Sequence, residues 1–136
     1  MHTASEAFRK ARPGPFVIGW KLDREERELL LARFPPAYAR PIADHVTLRP
    51  RVHAGTVLPP AVRAVIVGRA DDGQGLEALV VHVDGSTERP GGGTYHVTWS
   101  LEAGRKAVES NDVIAARGWQ PVDPPVALQL VPARFR

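Results

Sequence analysis

The sequence contains no cysteine and no long apolar run, and each absence excludes a class of protein. Without cysteine, the 136-residue chain has no disulfide framework, no thiolate nucleophile and no zinc site with cysteine ligands. The longest apolar stretches, residues 62–67 and 78–83, are far shorter than the roughly 18 to 20 residues that a membrane-spanning helix needs. The N-terminal residues are polar and lack the apolar segment of a signal peptide. We therefore expect a soluble, cytoplasmic protein with no membrane association, and we expect it to be a monomer.

Lysine is scarce, because 15 of the 18 basic residues are arginine. The planar arginine fork binds phosphate and carboxylate through two parallel hydrogen bonds, so the bias suits an anionic ligand. A GC-rich genome would produce the same bias, and the two explanations stay open. The net charge of +3 is too small to indicate binding to duplex DNA. Small phosphorylated ligands and RNA ends remain as candidate partners.

Apolar periodicity and turn residues predict an α+β fold in a single domain over residues 15–136, preceded by a flexible lead-in over residues 1–14. Two helices are predicted, and Asp23 with Glu26 forms a capping-box-like start for the first. Two apolar strands flank a Gly-rich turn and predict an antiparallel hairpin. The predicted strands are 16–20, 44–48, 62–70, 76–83, 94–101 and 126–131, and the predicted helices are 25–34 and 108–117.

The tripeptide His-Val-Thr occurs twice, each time on a predicted strand. Residues two apart on a strand point to the same face, so His45 projects with Thr47, and His96 with Thr98. If the two strands lie side by side, two imidazoles and two hydroxyls meet on one surface. This set suits phosphoester cleavage, because one imidazole can accept a proton, the other can donate one, and the hydroxyls can hold phosphate oxygens.

A metal site built from His45, His96 and a third histidine is the alternative use of these residues. No HExxH motif and no paired-carboxylate spacing favours it. A lone histidine such as His82, in the middle of an apolar strand, more often has a structural role. We therefore predict a site with no metal and no cofactor.

The doubled His-x-Thr-hydrophobic motif resembles that of the 2H phosphoesterase superfamily, which includes 2′,5′-RNA-ligase-like proteins and the cyclic phosphodiesterase domains of tRNA ligases. The second motif, in residues 95–101, and the later Ser110-Asn111 are most similar to the compact tRNA-ligase-associated and RNA-repair-like branch. The resemblance implies a bilobal fold whose antiparallel sheets form a central cleft, with about two helices packed outside. It also implies metal-independent opening of 2′,3′-cyclic phosphates, often with a 2′-phosphate as product.

Carried over to this chain, the resemblance implies that His45 and His96 are the acid/base pair and that Thr47 and Thr98 contact the phosphate. For attack by water with a 3′-oxygen leaving, His45 is assigned as general acid and His96 as general base. The chain departs from longer relatives in two respects. Only 51 positions separate the two histidines, and prolines crowd the segment where a helix would follow the first motif.

Further substrate-binding candidates surround the two motifs. Arg49 and Arg51 alternate with His45 and Thr47, so they would extend the positive floor of the cleft or be two solvated arginines at a strand end. Tyr95, Ser100 and Lys106 lie on or just beyond the second motif strand, although strand alternation favours a core position for Tyr95. The three glycines at 91–93 do not form a P-loop and are interpreted as a flexible loop that frames the cleft.

The sequence therefore predicts a hydrolase, namely a metal-independent 2′,3′-cyclic phosphodiesterase that acts on RNA ends or cyclic nucleotides in RNA repair or RNA processing. The first alternative is a non-catalytic module of the same fold that binds a nucleotide or RNA end. The second is a structural domain in which the repeated motif is coincidental.

Overall fold

The computed structural model describes residues 2–136, which form three α-helices and eight β-strands. The helices are α1 (Ala4–Lys10), α2 (Arg24–Arg33) and α3 (Ser110–Arg117), and a 3-10 turn (Ala107–Glu109) leads into α3. The strands are β1 (Pro13–Leu22), β2 (Arg40–Pro41), β3 (His45–Val52), β4 (Ala64–Asp71), β5 (Leu76–Val83), β6 (His96–Leu101), β7 (Gln120–Leu128) and β8 (Leu130–Phe135). Over residues 2–136, none of the helices combines the length and the apolar character needed to cross a bilayer.

Within the predicted lead-in over residues 1–14, residues 4–10 form helix α1 and residues 13 and 14 begin β1, while Met1 lies outside the described residues. Thr3 caps α1 by accepting a hydrogen bond from the amide of Glu6 at 3.1 Å. Ala7 has no exposed surface, so α1 is packed onto the body of the protein. Helix α2 forms as predicted, since the Asp23 carboxylate accepts from the Glu26 amide at 2.9 Å.

The strands form two antiparallel sheets, which confirms the α+β class. The order is β3-β1-β8 in the smaller sheet and β2-β6-β5-β4-β7 in the larger one. The β4–β5 hairpin was predicted, but the C-terminal region forms two strands instead of one. Only Gln129 separates β7 from β8, and these two strands belong to different sheets. The chain likewise passes from β2 to β3 in three residues, so the two sheets are joined at both edges.

One apolar cluster fills the space between the two sheets, and a second lies between the larger sheet and α3. Trp20 of β1 and Trp99 of β6 are fully buried in the first cluster, the central core, together with Leu48 of β3 and Leu79 of β5. Edge-to-face aromatic pairs such as Trp20 and Tyr95, with ring centroids 6.1 Å apart, pack this region densely. Any site formed by the two repeated motifs must therefore lie outside this core.

Candidate active site

Strand alternation places both histidine–threonine pairs on the outer faces of the sheets. On β3, Val46 and Leu48 are buried in the central core, whereas His45 and Thr47 are only partly buried on the other face. On β6, Val97 belongs to the central core, and the His96 face is the one covered by α3. The predicted same-face pairing is present within each strand.

A bend between β2 and β3 brings the two motifs together. The amides of Ile42 and Ala43 donate to the carbonyls of Trp99 and Thr98, at 2.8 and 3.0 Å, so this segment runs antiparallel to β6. Ala43 then adopts a left-handed conformation with φ of 43°, and the chain turns away to pair with β1. His45 follows two residues later as the first residue of β3, opposite Lys21 of β1.

The two imidazoles are close enough to interact electrostatically. Burial is the largest cause that lowers the pKa of His96, and the charge of Arg89 and then that of His45 lower it further. Strands β3 and β6, which carry the two residues, also contact one another although they belong to different sheets. The structure thus places two histidines 51 positions apart in the sequence at one junction.

Asp44 orients His45. Since a carboxylate can only accept, the Nδ1–H of His45 donates to Asp44 Oδ2 at 3.0 Å, and Nε2 is the nitrogen that can react. Burial lowers the pKa of His45, while the hydrogen bond and the charge of Asp44 act in the opposite direction. Lys21 and Arg24 also bind the Asp44 carboxylate. Burial raises the pKa of Asp44, but hydrogen bonds from Lys21 and His45 outweigh it and hold the carboxyl below its usual range.

A backbone carbonyl orients His96 in the same sense. Its Nδ1–H donates to the carbonyl oxygen of Thr94 at 2.8 Å, which again leaves Nε2 as the reactive nitrogen. The side chain is more deeply buried than that of His45, with 9% of the residue exposed. Burial is the main cause that lowers its pKa, and the nearby charge of Arg89 adds to it. His96 is therefore neutral near pH 7.

The hydroxyls of the two predicted phosphate contacts, Thr47 and Thr98, have different hydrogen-bond partners. Thr47 is partly buried, and its hydroxyl forms no hydrogen bond with any residue from 2 to 136. The Thr98 hydroxyl donates to the carbonyl of Ala107 at 3.3 Å and lies 2.8 Å from Ser110 Oγ. Its single proton is thus used inside the protein, because the start of α3 packs directly over β6. The Thr47 hydroxyl thus has no hydrogen-bond partner among residues 2–136, whereas the Thr98 hydroxyl joins β6 to the start of α3.

Arg89 is a functional candidate that the sequence reasoning missed. It lies, partly buried, in the loop over residues 84–93 before β6, called the Gly-rich loop below, and its guanidinium donates to Gly92 O at 3.2 Å and to Asn111 Oδ1 at 3.3 Å. Within residues 2–136 it has no carboxylate partner, and burial lowers its pKa. A cation beside His96 without an acidic partner suits a phosphate. The available signal was its position seven residues before the second histidine.

The arginines of the first motif strand lie beyond His45 on the same strand. Arg49 covers the ring of Phe8 at 4.6 Å and donates to the carbonyls of Phe8 and Ala11, so it fastens the end of α1 to β3. Arg51 is exposed. Arg49 and Arg51 were predicted to lie on the same strand face as His45. The regular strand alternation ends after Arg49, because Arg51 adopts φ of 58°.

Three other predicted substrate contacts lie elsewhere. Ser100 has no exposed surface and donates to buried Glu77 at 2.7 Å, so its hydroxyl serves the interior of the larger sheet. Tyr95 belongs to the central core, as alternation favoured, and burial raises its pKa to about 12. Lys106 is exposed at the start of the 3-10 turn. Its neighbour Arg105 is committed to Asp72 at 2.8 Å.

No group of three or more histidine, aspartate or glutamate side chains within residues 2–136 is arranged to hold a metal ion. Comparison with family models, with curated proteins and with solved structures gave no match to this chain.

Proposed function

We propose that this protein is a metal-independent cyclic phosphodiesterase that opens a 2′,3′-cyclic phosphate at an RNA end. The observation that carries the proposal is the arrangement of the two imidazoles. His45 and His96 lie at one junction, each donates its Nδ1–H to a fixed acceptor, and each has an Nε2 without a partner among the described residues. Two imidazoles oriented in this way supply a general acid and a general base.

The different environments of the two histidines support a division of roles between them. His96 is buried and neutral, so its Nε2 accepts a proton from the attacking water. Burial lowers the pKa of His45 as well, but the Asp44 carboxylate opposes that lowering by stabilising the protonated imidazole, so in this proposal His45 donates a proton to the leaving oxygen. The water oxygen bonds to phosphorus, the bond from phosphorus to O3′ breaks, and O3′ takes the His45 proton. The products are a 2′-phosphate and a 3′-hydroxyl.

Phosphate binding in this proposal relies on Thr47 and Arg89. The Thr47 hydroxyl shares a strand face with His45, and the Arg89 guanidinium lies near His96. Both can donate to non-bridging oxygens, where negative charge grows as water adds to phosphorus. Lys21 and Arg24 keep the Asp44 side of the site positive.

The alternative is a module of the same architecture that binds an RNA end without cleaving it. One observation favours it: the Thr98 hydroxyl, expected to contact the phosphate, is bonded to Ser110 and Ala107. A site with one hydroxyl fewer would still bind a phosphate through Arg89 and Thr47. Turnover distinguishes the two candidates.

The decisive experiment incubates an RNA oligonucleotide that ends in a 2′,3′-cyclic phosphate with the protein in EDTA. Wild type should open the ring to a 2′-phosphate, whereas His45→Ala and His96→Ala should each lose about 100-fold to 10,000-fold in rate. His53→Ala is the matched control, because His53 lies in an exposed turn where its Nδ1 accepts from the Gly55 amide.

Each outcome has a definite meaning. Binding of the oligonucleotide without product supports the non-catalytic alternative. Loss of activity in EDTA with rescue by a metal contradicts the proposed mechanism. Equal opening by wild type and both alanine variants indicates a contaminating nuclease and removes the support for the paired histidines.

A further inference from the structure

We infer a second phosphate-binding site, formed by three arginines, that receives the phosphodiester backbone of an RNA strand next to its terminal cyclic phosphate. The inference rests on the proposed function for the identity of the strand end, but the site itself is defined by a separate group of residues. It specifies the substrate as an oligonucleotide rather than a mononucleotide.

A surface cavity of about 480 Å³ lies where α1, β3 and the Gly-rich loop meet. The cavity is lined by Phe8, Pro13, Leu48, Arg49, Pro50, Arg51, Arg89, Pro90, Gly91 and Gly92. Gly91 lies against the Phe8 ring, where a β-carbon would come within 2.3 Å of the ring edge. Packing between α1 and the loop therefore forms one wall, and β3 forms the other.

The charge of this cavity is entirely positive. Arg49, Arg51 and Arg89 line it, and no acidic side chain does. None of the three forms an ion pair within the described part of the chain, whereas Arg69 and Arg105 each bind two carboxylates. Three arginine forks with no acidic partner around one concave surface are suited to phosphate oxygens.

The backbone at Arg51 is strained in a way that serves this site. Its φ of 58° lies in the left-handed region, which is disfavoured for a residue with a side chain such as arginine. The conformation coincides with a shift of register between β1 and β3 and turns Arg51 toward the cavity. Asparagine and glycine tolerate this conformation better than arginine does. An arginine in this disfavoured conformation is therefore consistent with a role for its charge in binding a ligand.

Arg89 connects this cavity to the histidines. It lines the cavity, and its charge also acts on His96. Along β3, Arg49 lies four residues beyond His45, about 13 Å away in an extended strand. A terminal cyclic phosphate at the histidines would thus leave the preceding phosphodiester groups over Arg89, Arg49 and Arg51. A cyclic mononucleotide has no such group and would leave the cavity empty.

The test measures binding and turnover separately. Fluorescence anisotropy with a labelled single-stranded RNA hexamer that ends in a 3′-phosphate reports binding without any chemistry. Arg51→Asn keeps a residue that accepts φ of 58° and removes the charge. Arg33→Asn is the matched control, because Arg33 is exposed on α2 and forms no ion pair with a described residue.

We expect Arg51→Asn to weaken hexamer binding by about 5-fold to 50-fold and to lower the dependence of log Kd on log salt by somewhat less than one unit. Arg33→Asn should change neither quantity, and Arg51→Lys should restore the salt dependence. In turnover, Arg51→Asn should lower kcat/KM for a cyclic-phosphate-ended hexamer and leave a cyclic mononucleotide unchanged.

The outcomes separate this site from the proposed reaction. If Arg51→Asn weakens binding of the 3′-phosphate hexamer but wild type never opens the cyclic phosphate of the other hexamer, the arginine site is supported and the hydrolase proposal fails. If wild type opens both substrates and Arg51→Asn affects them equally, or affects neither, the second phosphate site is wrong. Equal loss of hexamer binding in Arg51→Asn and Arg33→Asn means that only net charge matters, which also overturns it.

Discussion

The residue that distinguishes the two imidazoles is Asp44. Neighbouring residues on a regular strand point to opposite faces, so Asp44 would not be expected to contact His45. It does so because the chain has just turned at Ala43, which is left-handed and fully buried. His96 has only a carbonyl as its Nδ1 partner. A carboxylate stabilises an imidazolium more than a carbonyl does, so the site contains one better acid and one better base.

The substitution Asp44→Asn should move one limb of the pH–rate profile and leave the other in place. The Asp44 carboxylate raises the pKa of His45 against the lowering effect of burial, so its removal should lower that pKa further. If His45 is the general acid, the alkaline limb of kcat/KM moves to lower pH, since the protonated form is lost earlier.

Glu28→Gln is the control for Asp44→Asn, because it removes one negative charge as Asp44→Asn does. Glu28 is exposed on α2 and forms an ion pair with Arg27, not with a histidine. Its profile should match that of wild type. A shift of the acidic limb in Asp44→Asn would reverse the two roles, and unchanged limbs would contradict any coupling between Asp44 and the reaction.

At the scale of elements, helix α1 and the Gly-rich loop form a unit that the sequence pattern did not indicate. Phe8 lies between Gly91 on one side and the Arg49 guanidinium on another. The lead-in thereby becomes one wall of the arginine cavity. The polar residues of α1 gave no strong apolar period, and its position depends on Ala7 and Phe8, which contact residues far away in sequence.

Gly91→Ala should destabilise the protein more than Gly92→Ala. Both glycines have positive φ, 83° and 107°, so alanine costs roughly 1–2 kcal/mol of backbone strain at either position. Only at residue 91 does a β-carbon also collide with the Phe8 ring, whereas nothing lies within 4 Å at residue 92. The difference in Tm between the two variants measures the contribution of packing between Gly91 and Phe8. Equal losses of Tm would show that this contact between α1 and the loop does not stabilise the protein.

At the scale of the whole molecule, the two sheets enclose one core and present both histidines on their outer surface. That position leaves His96 on the face of β6 that α3 covers and places the His45 ring against Phe135 of β8, with ring centroids 4.5 Å apart. Burial consequently lowers the pKa of both residues below the ordinary value of 6.5. Protonation of these two histidines should therefore change the free energy of unfolding.

Stability should fall as the pH decreases below about 6.5, before the carboxylates titrate. In that interval the unfolded chain binds protons at both histidines, while the folded protein, with its lowered pKa values, does not yet do so. The stabilisation is fully present above the unfolded pKa and is lost as the pH falls through the folded values. Tm measured from about pH 8 to about pH 5 should show this slope.

The double variant His45→Gln/His96→Gln should flatten the dependence of Tm on pH, whereas His53→Gln should keep it. Identical slopes in wild type and the double variant would mean that burial of these two histidines does not contribute. Because this measurement needs no substrate, it tests the environment of the histidines independently of the proposed reaction.

The sequence by itself determined the α+β class, the β4–β5 hairpin, the capped helix α2 and the pairing of each histidine with its threonine on one strand face. These features depend on contacts within a few residues, and the period of two along a strand suffices for the last. The tertiary structure alone decided how His45 and His96 meet, since a turn at Ala43 brings β3 beside β6. It also decided that apolar side chains fill the space between the sheets, that Ser110 engages Thr98, and that Arg89 stands beside His96 without an acid. Those outcomes depend on which surfaces pack against each other across the whole chain, and no local pattern encodes that choice.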